Sequence, residues 1–215
     1  MPHQGGPCPA SEILRTQSTG YTQGDRSRNH GTLFFMEVLS TRLPGVLRLR
    51  PRIFTDDRGW FAETWNEATF QKAGLPSHFV QDNQSRSRQH VLRGLHFQLQ
   101  YAQGKLVRAV AGRIFDVAVD VRRSSAHFSN WVGVELSAET PEMLWIPPGF
   151  AHGFLVLSEA ADVLYKTTDY YSPASERTVR WDDPAIGIEW PLTAQPIIAA
   201  KAAAGTLLHR TDVPD

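Results

Sequence analysis

Polar and apolar residues alternate in short runs through most of the chain, and turn-forming residues separate the runs. The clearest run is Arg-Gly-Leu-His-Phe-Gln at residues 93–98, an alternation that is typical of a half-buried β-strand. Because successive side chains of a strand point to opposite sides, the run predicts two faces, one with Arg93, Leu95 and Phe97 and the other with Gly94, His96 and Gln98. His96 is therefore expected either as a titratable group of an anion-binding site or as a hydrogen-bonded core histidine.

Further runs of the same kind predict a protein built almost wholly from short strands. They cover residues 46–50, 60–65, 105–110, 113–122, 131–137, 143–146, 153–157 and 162–168. Helical signals are few: Asn66 and Gly74 suit the N-cap and the stop of a short helix, and the Ala-rich stretch 197–204 predicts a helical turn. The sequence therefore predicts an all-β fold, a jelly-roll β-barrel or sandwich with a few short helices.

Residues 1–35 differ in composition from the rest of the chain. They are rich in Gly, Pro, Ser, Thr and Gln and show no sustained period, so we expect a disordered N-terminal extension. The patterned domain is expected to span residues 36–215, with Met36 as its natural start. The alternative is that residues 1–35 form a regulatory or targeting arm, and mass spectrometry of the native protein distinguishes the two.

Charge and cysteine content narrow the functional classes. The chain carries 22 Lys and Arg against 22 Asp and Glu, a balance that does not favour a nucleic-acid partner or a membrane-surface partner. No apolar run approaches the roughly 20 residues of a membrane span. The single cysteine, Cys8, can form neither an internal disulfide nor a cysteine-rich metal site. A cytoplasmic protein is the default expectation.

The segment Pro-Pro-Gly-Phe-Ala-His at residues 147–152 fits the P-x-G-x-x-H pattern of the second half of a cupin jelly roll. Metal-binding cupins also carry an H-x-H pair and a glutamate, but here the paired position reads His96-Phe97-Gln98. Two histidines do not complete the usual ligand shell of zinc or iron. We therefore expect a cupin-like barrel without metal or other cofactor. The alternative is a metal site made of His96, His152 and a carboxylate.

Several longer segments resemble a single enzyme family when they are taken together. They are residues 57–59, 81–83, 91–98, 102–108, 115–120, 149–154 and 165–171. Over residues 37–208 the chain resembles the dTDP-4-dehydrorhamnose 3,5-epimerases. The resemblance implies a cofactor-free homodimeric isomerase whose N-terminal strands pair across the interface. The implied reaction epimerises dTDP-4-dehydro-6-deoxy-D-glucose at carbons 3 and 5 to dTDP-4-dehydro-L-rhamnose, a step of dTDP-L-rhamnose biosynthesis.

The implied reaction needs three catalytic roles. Removing a proton next to the ketone gives an enolate, so inversion needs a base on one face of the sugar, an acid on the other and a cation at the enolate oxygen. By resemblance, His96 is the base, Tyr165 is the acid and Lys105 is the cation. The residues alone do not distinguish Tyr165 from Tyr170 and Tyr171, and an aromatic side chain that only fills a strand face stays open.

The resemblance also implies a set of substrate-binding residues. These are Arg58, Glu63, Gln81, Asp82, Asn83, Arg93, His152, Glu176 and Lys201. A pyrophosphate needs cationic donors, and the guanidinium of Arg58 or Arg93 suits phosphate geometry. Taken singly, Arg58 also fits a solvated turn and Glu176 a surface loop.

One position departs from the family pattern. The resemblance places an aspartate that orients the catalytic histidine directly after Lys201, but this chain has Ala202, which accepts no hydrogen bond. Three outcomes are open. Asp82 or a backbone carbonyl orients His96 instead; or activity is slow or limited to carbon 3 or carbon 5; or the protein binds the nucleotide sugar with little turnover.

Overall fold

The computed structural model describes residues 35–215, and β-strands form most of the regular structure in that range. The strands are β1 (Met36–Ser40), β2 (Leu47–Pro51), β3 (Ile53–Asp56), β4 (Gly59–Ala62), β5 (Gln81–Arg88), β6 (Leu92–Gln98), β7 (Lys105–Ala111), β8 (Arg113–Asp120), β9 (Trp131–Ser137), β10 (Met143–Ile146), β11 (Phe150–Val156), β12 (Ala160–Thr167) and β13 (Glu176–Thr178). The helical elements are α1 (Glu67–Lys72), α2 (Ala200–Ala203) and a 3-10 turn (Leu208–Arg210). The expected disorder of residues 1–35 concerns residues that, apart from Phe35, lie outside the described range. The first strand of the described range begins at Met36.

Two antiparallel sheets face each other. The larger sheet has six strands in the order β1-β2-β10-β7-β12-β5, and the other has five in the order β13-β6-β11-β8-β9. A separate two-stranded hairpin is formed by β3 and β4. Apart from the consecutive pairs β1–β2 and β8–β9, neighbouring strands in both large sheets come from distant parts of the chain, as in a jelly roll. The predicted all-β sandwich with a few short helices is confirmed.

The core lies in three layers because both sheets are covered on their outer faces. The space between the sheets is filled by residues that include Val107, Ala109, Ile114, Ala118, Leu144, Phe154 and Val163. The C-terminal segment covers the five-stranded sheet, in a cluster that includes Leu95, Phe97, Val117, Val119, Val179, Ile186 and Leu208. Helix α1 covers part of the six-stranded sheet, in a cluster that includes Leu49, Phe70, Leu106, Met143 and Trp145. In β8, Val117 and Val119 belong to the outer cluster, while Asp116 and Asp120 are buried on the opposite face of the strand.

Helix α1 begins and ends where its sequence predicts. The side chain of Asn66 caps the helix by accepting a hydrogen bond from the Thr69 backbone N–H at 3.1 Å. Gly74 follows the last turn with a φ of 70°, a conformation that glycine adopts without strain. Because the cap at Asn66 needs a preceding connection, β4 ends at Ala62, short of the strand predicted over residues 60–65.

Candidate active site

A cavity of about 470 Å³ lies between the two large sheets. Its walls come from β5, β7 and β12 of the six-stranded sheet and from β6, β11 and β13 of the other. A connection that leads into α2 completes it. The lining includes Arg93, His96, Lys105, His152, Tyr165, Tyr171, Glu176 and Ala202. Six of these were predicted from the sequence as catalytic or substrate-binding residues, and the fold brings them to one cavity.

Strand β6 loses its regular alternation beside this cavity. His96 pairs with His152 of β11. Arg93 pairs with Phe154, so two residues of β6 stand opposite one residue of β11. This bulge turns Arg93 to the side of His96, and both line the cavity. The prediction that Arg93 shares a face with Leu95 is therefore wrong.

The bulge depends on glycine at residue 94. Gly94 has a φ of 118°, which side-chain-bearing residues rarely adopt. A Cβ at this position would lie 2.5 Å from the Cα of Gly153 and 2.7 Å from the carbonyl oxygen of His152. Close approach of β6 to β11 is therefore what allows Arg93 and His96 to reach the same cavity.

His96 is held through its Nδ1 atom. That atom lies 3.2 Å from Thr178 Oγ1 and 3.6 Å from Glu176 Oε1, both on the neighbouring strand β13. Burial lowers the pKa of His96 to about 4; Glu176 opposes the shift, and the cation of Lys105 adds to it. The imidazole is therefore neutral at pH 7.

Lys105 lies beside His96 on the facing sheet. Its side chain is buried, and Nζ donates to the backbone carbonyl of His96 at 3.5 Å. Burial lowers the pKa of Lys105 to about 8, against the opposing effects of Asp116 and Glu176. At neutral pH the ammonium group is mostly charged in a poorly hydrated site, where it can stabilise an anion strongly.

His152 forms a buried pair with Asp116. His152 Nε2 lies 2.9 Å from Asp116 Oδ2, and both side chains are almost fully removed from solvent. Asp116 belongs to β8, which is next to β11 in the five-stranded sheet. The pairing fixes the orientation of the His152 ring at the cavity wall.

Tyr165 lines the cavity from β12, on the sheet that faces His96. Burial raises the pKa of its hydroxyl, with Arg93 opposing and Glu176 adding to the shift. Tyr165 is therefore protonated at neutral pH. Arg93 itself donates from Nε to Ser87 Oγ at 3.0 Å, which leaves its Nη groups available to a ligand.

Glu176 connects several groups at the cavity. Its carboxylate accepts a hydrogen bond from Tyr171 Oη at 2.8 Å and forms an ion pair with Lys201. Burial acts to raise the pKa of Glu176, but the hydrogen bonds from Lys201 and Tyr171 and the nearby His96 hold it below its usual value. Glu176 is therefore a stable negative charge next to His96.

The other predicted binding residues do not line the cavity. Gln81 and Asn83 share the inward face of β5 and hydrogen-bond to each other at 2.9 Å. Arg58 is 89% exposed at the tip of the β3–β4 hairpin, where it pairs with Asp56. Glu63 accepts hydrogen bonds from Asn66 and Thr69 at the start of α1. For these residues the binding role stays a prediction.

Asp82 lies on the opposite face of β5 from Gln81 and Asn83. Its carboxylate pairs with Lys166 of β12 at 3.0 Å on the outer side of the six-stranded sheet. The suggestion that Asp82 orients His96 is therefore wrong, because period-two alternation directs its side chain away from the cavity. Ala202, in contrast, is buried at the cavity, where the resemblance places a carboxylate.

Sequence reasoning gave no role at this site to Ser85, Asp116 or Thr178, and it named Tyr171 only as an alternative to Tyr165. Asp116 had a signal, since it is a carboxylate on the inward face of a strand with valines outside. Ser85 and Thr178 had none, because their proximity to the site arises from pairing between distant strands.

Within residues 35–215, no group of three or more His, Cys, Asp or Glu side chains is arranged to hold a metal ion. In the same range no helix has the length and apolar character that crossing a membrane requires. His96 and His152 are paired across β6 and β11, and one ring nitrogen of each is engaged, His96 Nδ1 by Thr178 and His152 Nε2 by Asp116.

The fold and the cavity define a jelly-roll protein with a cavity of titratable side chains between its sheets. Residues 40–210 match the family model described as dTDP-4-dehydrorhamnose 3,5-epimerase. The enzyme of that name from Salmonella typhimurium is 56% identical over 177 residues, covering 81% of this chain and 97% of the relative. The enzyme of the same name from Pseudomonas aeruginosa is 53% identical over 178 residues, covering 82% and 98%.

A solved structure agrees with this assignment. The dTDP-6-deoxy-D-glucose-3,5-epimerase of Legionella pneumophila, in complex with dTDP-4-keto-L-rhamnose, superposes with a TM-score of 0.81 at 47% identity, covering 83% of this chain and 97% of that one. The chain belongs to the dTDP-4-dehydrorhamnose 3,5-epimerase family. The family expected from the sequence is confirmed.

Proposed function

We propose that this protein epimerises dTDP-4-dehydro-6-deoxy-D-glucose at carbons 3 and 5, giving dTDP-4-dehydro-L-rhamnose. One observation carries the proposal: His96 and Tyr165 line the same cavity from facing sheets. Inversion at carbon requires proton removal from one side and proton delivery from the other. A site with a base and an acid on opposite walls provides both without turning the sugar over.

The protonation states suit these two roles. Neutral His96 takes the proton next to the ketone through Nε2 and becomes an imidazolium. Tyr165, whose pKa is raised by burial, holds the proton that the enolate needs on its other face. The same pair serves carbon 3 and carbon 5, because both carbons neighbour the same ketone.

Lys105 is proposed to stabilise the enolate oxygen. The charge that leaves the carbon collects on this oxygen, and a buried ammonium group is worth more there than in water. The Asp116–His152 pair lies nearby and is proposed to contact the sugar through His152. No redox step occurs, so the proposed reaction needs no cofactor.

Arg93, Lys201, Gln81 and Asn83 are proposed to hold the nucleotide part of the substrate. Arg93 presents free Nη donors at the cavity, which suit the oxygens of a diphosphate. Lys201 lies at the start of α2 and is 59% exposed, at the rim rather than the base of the site. The cationic donors Arg93 and Lys201 suit the charged diphosphate, and the polar side chains of His96, Lys105 and His152 suit the sugar inside the cavity.

We further propose that the protein acts as a homodimer in the cytoplasm. Strand β1 is an edge strand of the six-stranded sheet, and unpaired edges favour pairing with a second chain. The β3–β4 hairpin exposes Phe54, Trp60 and Phe61, with Phe61 68% exposed. A second copy would cover these rings and give Arg58 a cavity to reach. The single cysteine of the chain fits a reducing compartment.

Proton NMR in D₂O tests the reaction directly. The purified protein is incubated with dTDP-4-dehydro-6-deoxy-D-glucose, and signals at carbons 3 and 5 are followed. We expect both signals to be lost by exchange and the L-rhamnose configuration to form. Loss at one carbon would identify a single-centre epimerase, and binding without exchange at either carbon would overturn the proposal in favour of a nucleotide-sugar binding protein.

A further inference from the structure

His96 lacks the aspartate that the family resemblance places beside it. Ala202 offers a methyl group where the family resemblance expects a carboxylate, and Asp82 faces away. His96 nevertheless has defined partners at Nδ1, namely Thr178 Oγ1 at 3.2 Å and Glu176 Oε1 at 3.6 Å. Within the described residues, Glu176 is the carboxylate that lies within 4.0 Å of a His96 ring nitrogen.

We propose that Thr178 and Glu176 are the positioning residues of His96 and replace the carboxylate that is missing at residue 202. Thr178 holds the ring and Glu176 selects its tautomer and stabilises its charged form. The proposal deepens the epimerase function proposed above and rests on it for its kinetic consequences. Its structural content concerns His96 alone and can be measured without substrate.

Strand pairing places both residues at the histidine. Thr178 of β13 stands directly opposite His96 of β6, and Glu176 stands opposite Gln98 two residues further along. Residues two apart on a strand share a face, so Glu176 and Thr178 point to the same side as neighbours. Arg177, between them, instead bonds the carbonyl of Ala174. The arrangement follows from backbone register.

The carboxylate determines which ring nitrogen carries the proton. If Nδ1 presented its lone pair, that lone pair would face the negatively charged Glu176 Oε1. A proton on Nδ1 removes this repulsion and lets the ring donate to Thr178 Oγ1. The tautomer that results leaves the lone pair of Nε2 free, as a base requires. When Nε2 takes up a proton, Glu176 stabilises the new positive charge.

The remainder of the network keeps Glu176 in place. Its other oxygen, Oε2, accepts from Tyr171 Oη at 2.8 Å and pairs with Lys201. Oε1 is thereby directed toward His96. A carboxylate that approaches from β13 makes one at residue 202 unnecessary. The cations near His96 are Lys105 and Lys201, and an ammonium group cannot accept a hydrogen bond from the ring.

The first test is the ¹⁵N NMR spectrum of the His96 ring at pH 7 in the free protein, assigned by comparison with His96→Asn. We expect the Nδ1–H tautomer in the parent protein. Glu176→Gln and Thr178→Val are expected to shift the population toward Nε2–H, while Thr178→Ser keeps the parent spectrum because it keeps the hydroxyl. Arg177→Met is the matched control: it changes the residue between Glu176 and Thr178 on β13 but leaves both of their side chains at His96, so the tautomer should not change.

The second test measures carbon-bound proton exchange. Glu176→Gln should lower kcat by at least about tenfold, a smaller loss than in a hydrolytic triad. Adding Ala202→Asp to Glu176→Gln should recover most of the lost kcat, since it places a carboxylate beside His96 from residue 202. Ala202→Asp alone should leave kcat within about twofold, because His96 is already oriented.

The outcomes separate the two proposals. An unchanged His96 tautomer in both Glu176→Gln and Thr178→Val would overturn the positioning role even if the parent enzyme is active. A parent protein that binds but does not exchange substrate protons would overturn the epimerase function, while the tautomer shifts would still establish the positioning contact. A rise of tenfold or more in kcat on Ala202→Asp alone would show that Glu176 and Thr178 do not replace the missing aspartate.

Discussion

The cavity and the β3–β4 hairpin hold residues predicted for the same site, yet the structure treats them differently. His96, Lys105 and Tyr165 are buried or half-buried. All three line one cavity, and each lies on a strand that is paired within one of the two large sheets. Arg58 is 89% exposed, and its guanidinium contacts only the neighbouring Asp56 among the described residues. The hairpin around it exposes Phe54, Trp60 and Phe61.

This difference indicates that the proposed catalytic groups and the proposed dimer contact lie in separate regions, the cavity and the β3–β4 hairpin. The groups proposed to transfer protons lie where two sheets hold them, and acid–base chemistry tolerates little misplacement. The hairpin has no such support within one chain, so its proposed contribution depends on a second copy. Changes in the cavity should therefore alter kcat, and changes in the hairpin should alter binding and assembly.

His96 is where the largest effect is expected. His96→Asn removes the base while keeping a polar side chain, so exchange at carbons 3 and 5 should fall about 10²- to 10⁴-fold. Proton NMR in D₂O measures both positions at once. His209→Asn, the same change at an exposed residue outside the cavity, should leave the rate unaltered. Retained exchange in His96→Asn would remove His96 from the mechanism.

Lys105 should determine the alkaline side of the pH profile. The rate needs charged Lys105, so kcat/KM should be high below the pKa of about 8 and fall as the pH rises through it. Lys105→Met should lower kcat about 10²- to 10³-fold, as loss of an oxyanion donor does. Lys105→Arg keeps its charge to higher pH, so its smaller remaining activity should lack the fall near pH 8. A fall that persists in Lys105→Arg would assign it to another group.

Tyr165 should separate proton removal from inversion. Tyr165→Phe leaves His96 in place, so carbon-bound protons should still exchange with solvent, while formation of the inverted sugar falls about 10²-fold. The ratio of exchange to inversion is read from the same NMR series. Tyr170→Phe is the matched control, because Tyr170 is 65% exposed and lies outside the cavity lining. Equal losses in exchange and inversion would contradict an acid role for Tyr165.

The smallest effect is expected at the hairpin. Arg58→Ala should raise KM roughly tenfold with kcat nearly unchanged, since it removes a charge-assisted contact to phosphate and no catalytic group. Arg113→Ala, at a solvent-exposed pair with Glu135, is the control.

Phe61→Ser should weaken the dimer, which light scattering over a dilution series measures. A monomeric parent protein, or an Arg58→Ala variant with parental KM, would remove the hairpin from the site.

Several features of the fold were readable from local sequence. The cap at Asn66 and the glycine after α1 marked the helix, and the period of two in β8 separated its valines from Asp116 on opposite faces. The strands at Trp131–Ser137 and Met143–Ile146 have the predicted bounds. These features depend on neighbours within a few residues, so the residue order carries them.

The position of Arg93 could not be predicted from the local sequence. Strict alternation placed it with Leu95, but the bulge at Gly94 turned it to the cavity, and the cause lies 59 residues away in the close approach of Gly153. Thr178 shows the same limit, because its contact with His96 spans 82 residues and exists only through the pairing of β13 with β6.

The sequence by itself determined the all-β architecture and, through its resemblance, the family, and it predicted which groups move a proton. It also exposed the absence of a carboxylate at Ala202. Only the tertiary structure decided which side chains share the cavity, that Asp82 faces away, and that Glu176 and Thr178 reach His96 from β13. The physical reason is that alternation and capping are local properties, whereas strand register between distant segments is set by the packing of the whole sandwich.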